Sequence, residues 1–361
     1  MIFNSYAFLA FFPIVTLAYY LMPMRARRPW LLAASYYFYM CWNAQYALLI
    51  AASTLVTYLC ALALGRMEAK AGRRAVLALG LALNLGILCF FKYFGFFTDT
   101  FARIAARLGV RLAIPAFDVL LPVGISFYTF QALGYMIDVY RGKLPPERSL
   151  MRYALFVSFF PQLVAGPIER SENLLRQVNE DHPLDEKAVR DGLLVMLLGF
   201  FEKLVIADRL NLFITGVLGS YQLYDGLAFW VTALFSTFQL YADFSGCMDI
   251  VQGISELFGI TVEKSFDHPF TSRSVAEWWR RWHITLCQWM KDYVYFPLAV
   301  SPHLIKVSGK LKKRFGAKAG KNFVTIVTIG VVWLLTGLWH GVKVCYLIWG
   351  LYYALFLIID T

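Results

Sequence analysis

The stretch Phe323-Val-Thr-Ile-Val-Thr-Ile-Gly-Val-Val-Trp-Leu-Leu-Thr-Gly-Leu-Trp-His-Gly341 decides the architecture. From Phe323 to Leu338 it carries no charge, and then it meets a titratable side chain, His340. Such a run reads as a membrane helix, because a helix satisfies its own backbone polar groups where lipid offers no partner. A histidine at membrane depth is costly, so it faces a protein-lined or watery cavity and has a task. Its unperturbed pKa of roughly 6.5 suits proton transfer near working pH. Trp333, Thr336, Gly337 and His340 stand at offsets of 3, 4 and 7 and share one helix face. Gly337 and Gly341 leave room for a neighbouring helix or a substrate chain. A structural histidine satisfied by a carbonyl is the plainer alternative for this motif taken alone.

The rest of the chain repeats the apolar pattern. Of 361 residues, 59% are hydrophobic and only 16% charged. Soluble domains carry roughly a quarter charged residues, so this is the composition of an integral membrane protein. Apolar runs cover Tyr6–Met22, Trp30–Trp42, Tyr46–Leu64, Ala75–Phe97, Val119–Val139, Tyr153–Val164, Leu193–Ile206, Leu227–Tyr241 and Phe323 onward. Several fall short of the ~20 residues of a straight crossing, which predicts re-entrant or broken segments around a central funnel. The expected fold is all-α and polytopic, with about 9–11 transmembrane or re-entrant helices. No linker, low-complexity tract or internal repeat divides it, so residues 1–361 read as one membrane domain. The first run lacks a basic leader region and a cleavage site, which makes it a retained span. Six cysteines are scattered without a paired motif, so they read as packing residues rather than zinc ligands or a disulfide framework.

The net charge of +11 sits in a few loops: Arg25, Arg27 and Arg28; Arg66, Lys70, Arg73 and Arg74; Arg141, Lys143, Arg148 and Arg152; and densest from Lys306 to Lys321. The first three groups fall on one side if Trp30–Trp42 and Tyr46–Leu64 form a hairpin turning at Asn43-Ala44-Gln45. The positive-inside rule makes that side cytoplasmic and puts Met1 outside. Topology and anionic lipid account for the basicity, so nucleic acid is not an expected partner. Ser301–Lys321 alternates basic and apolar residues and predicts an amphipathic element on the inner leaflet, with recruitment of an anionic donor as its sharper reading. Glu169–Arg190 is polar and predicts a surface loop or interfacial helix.

Three further clusters carry chemistry. Around Val275–Leu298, Trp278, Trp279, Trp282 and Trp289 suit a membrane interface. Arg280 and Arg281 offer forked donors for phosphate or carboxylate. A continuous helix there would set His283 on one face with Trp279 and Leu286. In the second cluster, Ser245, Asp249, Gln252 and Glu256 form a polar stripe, with Gln239 and Asp243 as a smaller patch. Buried carboxylates need partners, and the arginines near Arg280 are the expected ones. In the third, Pro161, Gly166 and Pro167 must end or break a helix, and a break at depth lines a cavity or lies against protein. Gln162, Glu169 and Arg170 stand there as positioning groups.

Taken in order, the motifs Phe159-Phe-Pro-Gln-(x)2-Ala-Gly-Pro-Ile168, Asp243-Phe-Ser-Gly246, Trp279-Arg-Arg-Trp-His-Ile-(x)-Leu286, Asp292-Tyr-(x)-Tyr-(x)-Pro-Leu298 and Gly337-Leu-Trp-His-Gly341 resemble the membrane-bound O-acyltransferase (MBOAT) family. The chain is most similar to the bacterial alginate O-acetylation branch, and more distantly to the D-alanyl transfer proteins of teichoic acid modification. The opening Met1-Ile-Phe-Asn-Ser-Tyr6 also resembles that branch.

The resemblance implies a multi-pass enzyme of the bacterial plasma membrane. It would take an acyl group, above all acetyl, from a cytoplasmic thioester such as acetyl-coenzyme A or an acyl-carrier protein. The acceptor would be a hydroxyl on a cell-envelope polysaccharide or a partner protein, with membrane lipid around the chain and an extracytoplasmic acyltransferase of the SGNH type as partner. No bound cofactor and no metal are implied. His340 would be catalytic and His283 the second functional histidine. Asp243, Ser245, Asp249, Arg280, Arg281, Trp339 and Gln162 would bind substrate or support the site. By chemistry, His340 would act as general base on the acceptor hydroxyl. The chain departs from the branch after Pro297-Leu298, where Ala299-Val-Ser-Pro-His303 replaces a Gly-Gly and leads into the basic insertion. It also stops soon after the Trp-His-Gly motif, which predicts a fragment or a shortened member. The rivals are D-alanyl transfer to teichoic acid, a non-catalytic polysaccharide export subunit, and an inactive scaffold. The paired half-repeats of a transporter are not found, and no Asp-His-His-Cys motif of the thiol-based palmitoyltransferases is present.

Overall fold

The computed structural model describes residues 1–109 and 122–360. Among these residues all regular structure is helical and no strand occurs, as an all-α chain requires. The first helices are α1 (Tyr6–Leu21), α2 (Met24–Met40), α3 (Ala44–Arg66), α4 (Lys70–Arg107) and α5 (Ile125–Arg141). Next come α6 (Leu150–Ser158), α7 (Phe160–Leu163), α8 (Arg176–Asn179), α9 (Glu186–Phe200), α10 (Asp208–Gly219) and α11 (Gly226–Glu256). The series closes with α12 (Val275–Arg281), α13 (Ile284–Met290), α14 (Phe296–Ala299), α15 (Pro302–Phe315), α16 (Ala317–His340) and α17 (Val344–Ile359).

Three helices, α3, α4 and α16, are long and apolar enough to cross a membrane. At 38 residues α4 runs about 57 Å, well beyond a ~30 Å hydrocarbon layer. The turn expected at Asn43-Ala44-Gln45 falls slightly earlier, between Met40 and Ala44, where the Asn43 side chain accepts the Gln45 N–H at 2.9 Å. The first three positions of the apolar run Val119–Val139 lie outside the described residues. Of the six cysteines, Cys41, Cys89 and Cys345 are exposed, so packing accounts for only some of them.

The chain divides into two compact units. The first comprises Met1–Leu62 and Leu144–Ser265. Its core is aromatic: Phe11 and Phe38 each lie 5.5 Å from Phe160, and Phe8 packs on Phe38 edge-on at 6.2 Å. The proline-driven break falls at Phe159, between α6 and α7. The backbone freed there is satisfied inside the protein, since Phe160 N–H donates to Ser35 Oγ at 3.1 Å and Gln162 Nε2 to the Phe156 carbonyl at 3.2 Å.

In the same unit α9 and α11 approach at backbone distance. A Cβ on Gly192 would stand 2.8 Å from the Gly253 carbonyl oxygen, and one on Gly246 2.7 Å from that of Gly199. Glycines seven apart on each helix therefore form a reciprocal seam, the small-residue packing that membrane helices favour. Of the segment Glu169–Arg190, residues 180–190 lie largely at the surface as its polarity suggests, but the first half does not. Glu169 is 2% exposed, and Ser171, Leu174, Leu175, Gln177 and Val178 are buried with it. Glu169 accepts the Glu263 N–H at 2.6 Å and Asn173 Nδ2 at 2.8 Å, and Gln177 brackets Thr261 through both its N–H and its carbonyl. The polar side chains serve a neighbouring stretch of backbone instead of water. Burial pushes the Glu169 carboxyl up to about 8, against the pull of its donors.

The second unit comprises Ala63–Lys143 and Phe266–Thr361. α16 and α17 form its glycine seam: a Cβ on Gly337 would lie 2.5 Å from the Tyr346 carbonyl oxygen, and one on Gly350 2.4 Å from that of Trp333. α15 is an amphipathic helix capped by Ser301 and Pro302, and it joins α16 through Gly316 at φ +91. The expected continuous helix through His283 does not form. α12 ends at Arg281 and α13 begins at Ile284, with His283 left-handed between them at φ 45, ψ 50. His283, Trp279 and Leu286 are therefore not on one helix face.

Candidate active site

The second unit gathers both histidines around Trp339. His340 ends α16, while Trp333, Thr336 and Gly337, one turn and two turns back on the same face, are buried. The shared face read from the sequence is thus present. Gly341 follows in extended backbone, and a Cβ there would come within 2.6 Å of the Tyr346 ring. The room foreseen at Gly337 and Gly341 is taken up by α17.

The His340 imidazole meets Trp349 edge-on at 4.9 Å and Trp339 at 4.8 Å, with Tyr346 at 6.2 Å. Among the described residues its nitrogens have no hydrogen-bond partner, and the residue is exposed. His283 differs. It is 3% exposed, and its ring lies 6.1 Å from Trp339. The left-handed backbone at His283 is rare for a residue with a side chain and marks a locally strained, over-determined position. Trp339 is flanked by Phe127 and Phe130, and Phe130 stacks on Trp289 at 4.0 Å. A second aromatic layer of Trp279, Trp333, Trp349 and Tyr353 lies beside it. The arrangement sets an exposed histidine residue in an aromatic wall, with a buried histidine one indole away. That suits abstraction of a proton from a hydroxyl.

Of the two arginines, Arg281 is engaged within the chain. Arg281 pairs with Glu277 at 2.9 Å and reaches Thr271 Oγ1 at 3.1 Å, bracing the entry to α12. The Arg273 backbone N–H, with Arg281 beside it, holds the Glu277 carboxyl below its ordinary value. Arg280 is exposed.

Gln162, Asp243, Ser245 and Asp249 belong to the first unit. The partner of Asp243 is Lys203, at 2.7 Å, and not an arginine near Arg280. Lys203 lies in a π-helical turn, Phe201–Ala207, and also pairs with Asp208 at 2.8 Å. The extra residue per turn widens the helix just where α9 continues past its glycine seam, and it aims Lys203 at α11. Asp243 and Lys203 line a cavity of about 280 Å³ with Phe38, Val164, Cys247 and Ile250. Ser245 is buried and Asp249 half-buried on α11, and Gln162 is buried beside the α6–α7 break.

Two residues of α4 touch the histidine-bearing turn and were not singled out from sequence. Lys92 donates to the Trp339 carbonyl, and Tyr93 donates to that of Leu338 at 2.7 Å. The signal was present: Lys92 is a lone cation inside the apolar run Ala75–Phe97. Among the described residues, no three of His, Cys, Asp and Glu stand together as a metal site would need.

A family model for the membrane-bound O-acyltransferases, MBOAT, matches residues 145–308. The "Probable alginate O-acetylase AlgI" of Pseudomonas putida is 38% identical, over all of this chain and 70% of its own length. The "Peptidoglycan O-acetyltransferase" of Helicobacter pylori is 32% identical, over 98% of this chain and 69% of that protein. A "Teichoic acid D-alanyltransferase" of Bacillus subtilis is more distant, 27% identical over 66% of this chain and 59% of its own length. The chain spans about two thirds of the length of the curated relatives it matches over its whole extent. With its helical architecture and its membrane-length helices, the chain is an integral membrane protein of the membrane-bound O-acyltransferase family.

Proposed function

We propose that this chain, acting as a single multi-pass membrane domain of the bacterial inner membrane, transfers an acetyl group from a cytoplasmic thioester to a hydroxyl of a cell-envelope polysaccharide or of a partner protein that hands it on. The observation that carries this reading is His340, exposed at the end of α16 within an aromatic wall, with His283 buried nearby. The neutral His340 imidazole takes the acceptor's hydroxyl proton as the oxygen attacks the thioester carbon. The carbon–sulfur bond then breaks, and the leaving thiolate recovers that proton from the imidazolium, giving an ester and a free thiol. His283 and Trp339 shape the pocket around the reacting groups.

Arg281 and Asp243 act through structure, each held in an ion pair. Acetyl-coenzyme A is the donor this reading favours, and an SGNH-type acyltransferase outside the membrane completes the transfer. Similarity to alginate and peptidoglycan O-acetylating proteins over nearly the whole chain supports acetyl over D-alanyl. The test is expression in a bacterial host that lacks envelope O-acetylation. Base-labile acetyl on isolated glycans, identified by mass spectrometry, is the expected result. D-alanine esters in its place would transfer the assignment to the carrier-protein donor, and neither ester, in the presence of the partner, would overturn it.

A further inference from the structure

α16 ends without the usual means of closing a helix. The last carbonyls of any helix lack intrahelical partners, and a left-handed glycine commonly turns the chain back to cover them. Here Gly341 is extended, and only the Gly337 carbonyl is met by the returning backbone, by the Gly341 N–H at 3.3 Å. The next two are covered from α4. Tyr93 Oη donates to the Leu338 carbonyl at 2.7 Å, and Lys92 Nζ donates to that of Trp339. The same ammonium lies 3.3 Å from Ser126 Oγ and 5.2 Å from the Trp339 ring centroid. A cation at a helix C-terminus also complements the helix dipole. Lysine is expensive inside an apolar helix, and apart from Ser126 on α5 Lys92 meets Trp339, through both its carbonyl and its ring, next to His340.

We propose that Lys92 is a positioning residue for the acyl transfer, with Tyr93 as its companion: together they cap α16 from the side and fix the orientation of His340. The inference rests on the catalytic reading of His340. Lys92 touches no reacting atom. It acts through the carbonyl of Trp339, the peptide unit that leads into His340, and through its charge, which bears on the imidazole.

The test uses the full chain in lipid nanodiscs, with radiolabelled acetyl-coenzyme A, its glycan acceptor and any partner required. Wild type, Lys92→Met, Lys92→Arg and His340→Ala are compared. Lys92→Met is expected to lower kcat on the order of 10–100-fold, as misplacement of a reacting group does, with KM for the donor within about threefold. Lys92→Arg, which keeps charge and donors, should recover at least about a third of the wild-type kcat. A Lys92→Met kcat within about twofold of wild type, while His340→Ala is inactive, would overturn the positioning role. So would an arginine variant as inactive as the methionine one. If wild type itself transfers nothing, the functional reading fails, and amide hydrogen exchange over residues 336–341 decides the capping role. Exchange about tenfold faster in Lys92→Met would support it, and unchanged exchange would refute it.

Discussion

Two glycine seams use the same packing for different ends. In the first unit, Gly192 and Gly199 of α9 meet Gly253 and Gly246 of α11, each helix presenting its glycines to the other's backbone. Beside that seam Asp243 is bound to Lys203 and Gln252 donates to Glu256 at 2.9 Å, while Glu202 keeps one buried carboxylate oxygen without a hydrogen bond among the described residues. In the second unit, Gly337 and Gly350 bring α16 and α17 equally close, yet the helix ends in an exposed imidazole. Close packing makes a rigid girder in one case and, in the other, a rigid stem that delivers one titratable group to an accessible place. The two seams differ in where their helices lead, not in how tightly they are held.

The comparison can be broken first at the girder. Gly246→Val would drive a side chain into the Gly199 carbonyl and the Glu202 side chain. It should cost about 3 kcal/mol, the upper part of the range for overpacking, read as a lowered melting temperature of the detergent-solubilised protein. Gly337→Ala, a smaller intrusion against the Tyr346 carbonyl, should cost about 1–2 kcal/mol. Its effect on transfer should exceed its effect on stability, with kcat lowered at least about tenfold at a temperature where the protein is folded. An equal loss at both seams, with kcat following only the folded fraction, would erase the distinction drawn between them.

Asp243→Asn sharpens the comparison from the other side. Lys203 keeps Asp208, and both members of the lost pair are partly exposed, so the stability change should stay within about 1 kcal/mol. Glu169 supplies the pH test. Its folded-state value, about 8, stands above the ordinary 4.5, so its protonated form is favoured by the fold. That contribution is present at low pH and is lost as pH rises from about 4.5 towards 8. Melting temperature measured from pH 5 to 9 should therefore decline in wild type and decline less in Glu169→Gln.

Much of this was legible in the sequence. The helical class follows from uncharged runs, the α6–α7 break from Pro161, and the His340 face from helical spacing. Local rules reached those features because each is decided within a few residues of chain. The left-handed His283 was not legible, since Trp-Arg-Arg-Trp-His-Ile has helical spacing and nothing in it announces a break. The burial of Glu169 and Gln177 was hidden too, because their partners, Thr261 to Glu263, lie some 90 residues away. Lys203 was overlooked for Asp243 because its π-helical turn, and not simple spacing, aims it.

The base role of His340 meets its most direct test in one measurement: the single-turnover rate of acetyl transfer by this chain in nanodiscs, for wild type, His283→Ala and His340→Ala. It predicts that His340→Ala loses on the order of 10²–10⁴-fold, the usual yield of general base catalysis, while its melting temperature is preserved. His283→Ala should keep measurable transfer and lose stability, as removal of a buried side chain would. A His340→Ala enzyme that transfers acetyl at the wild-type rate would contradict the central claim.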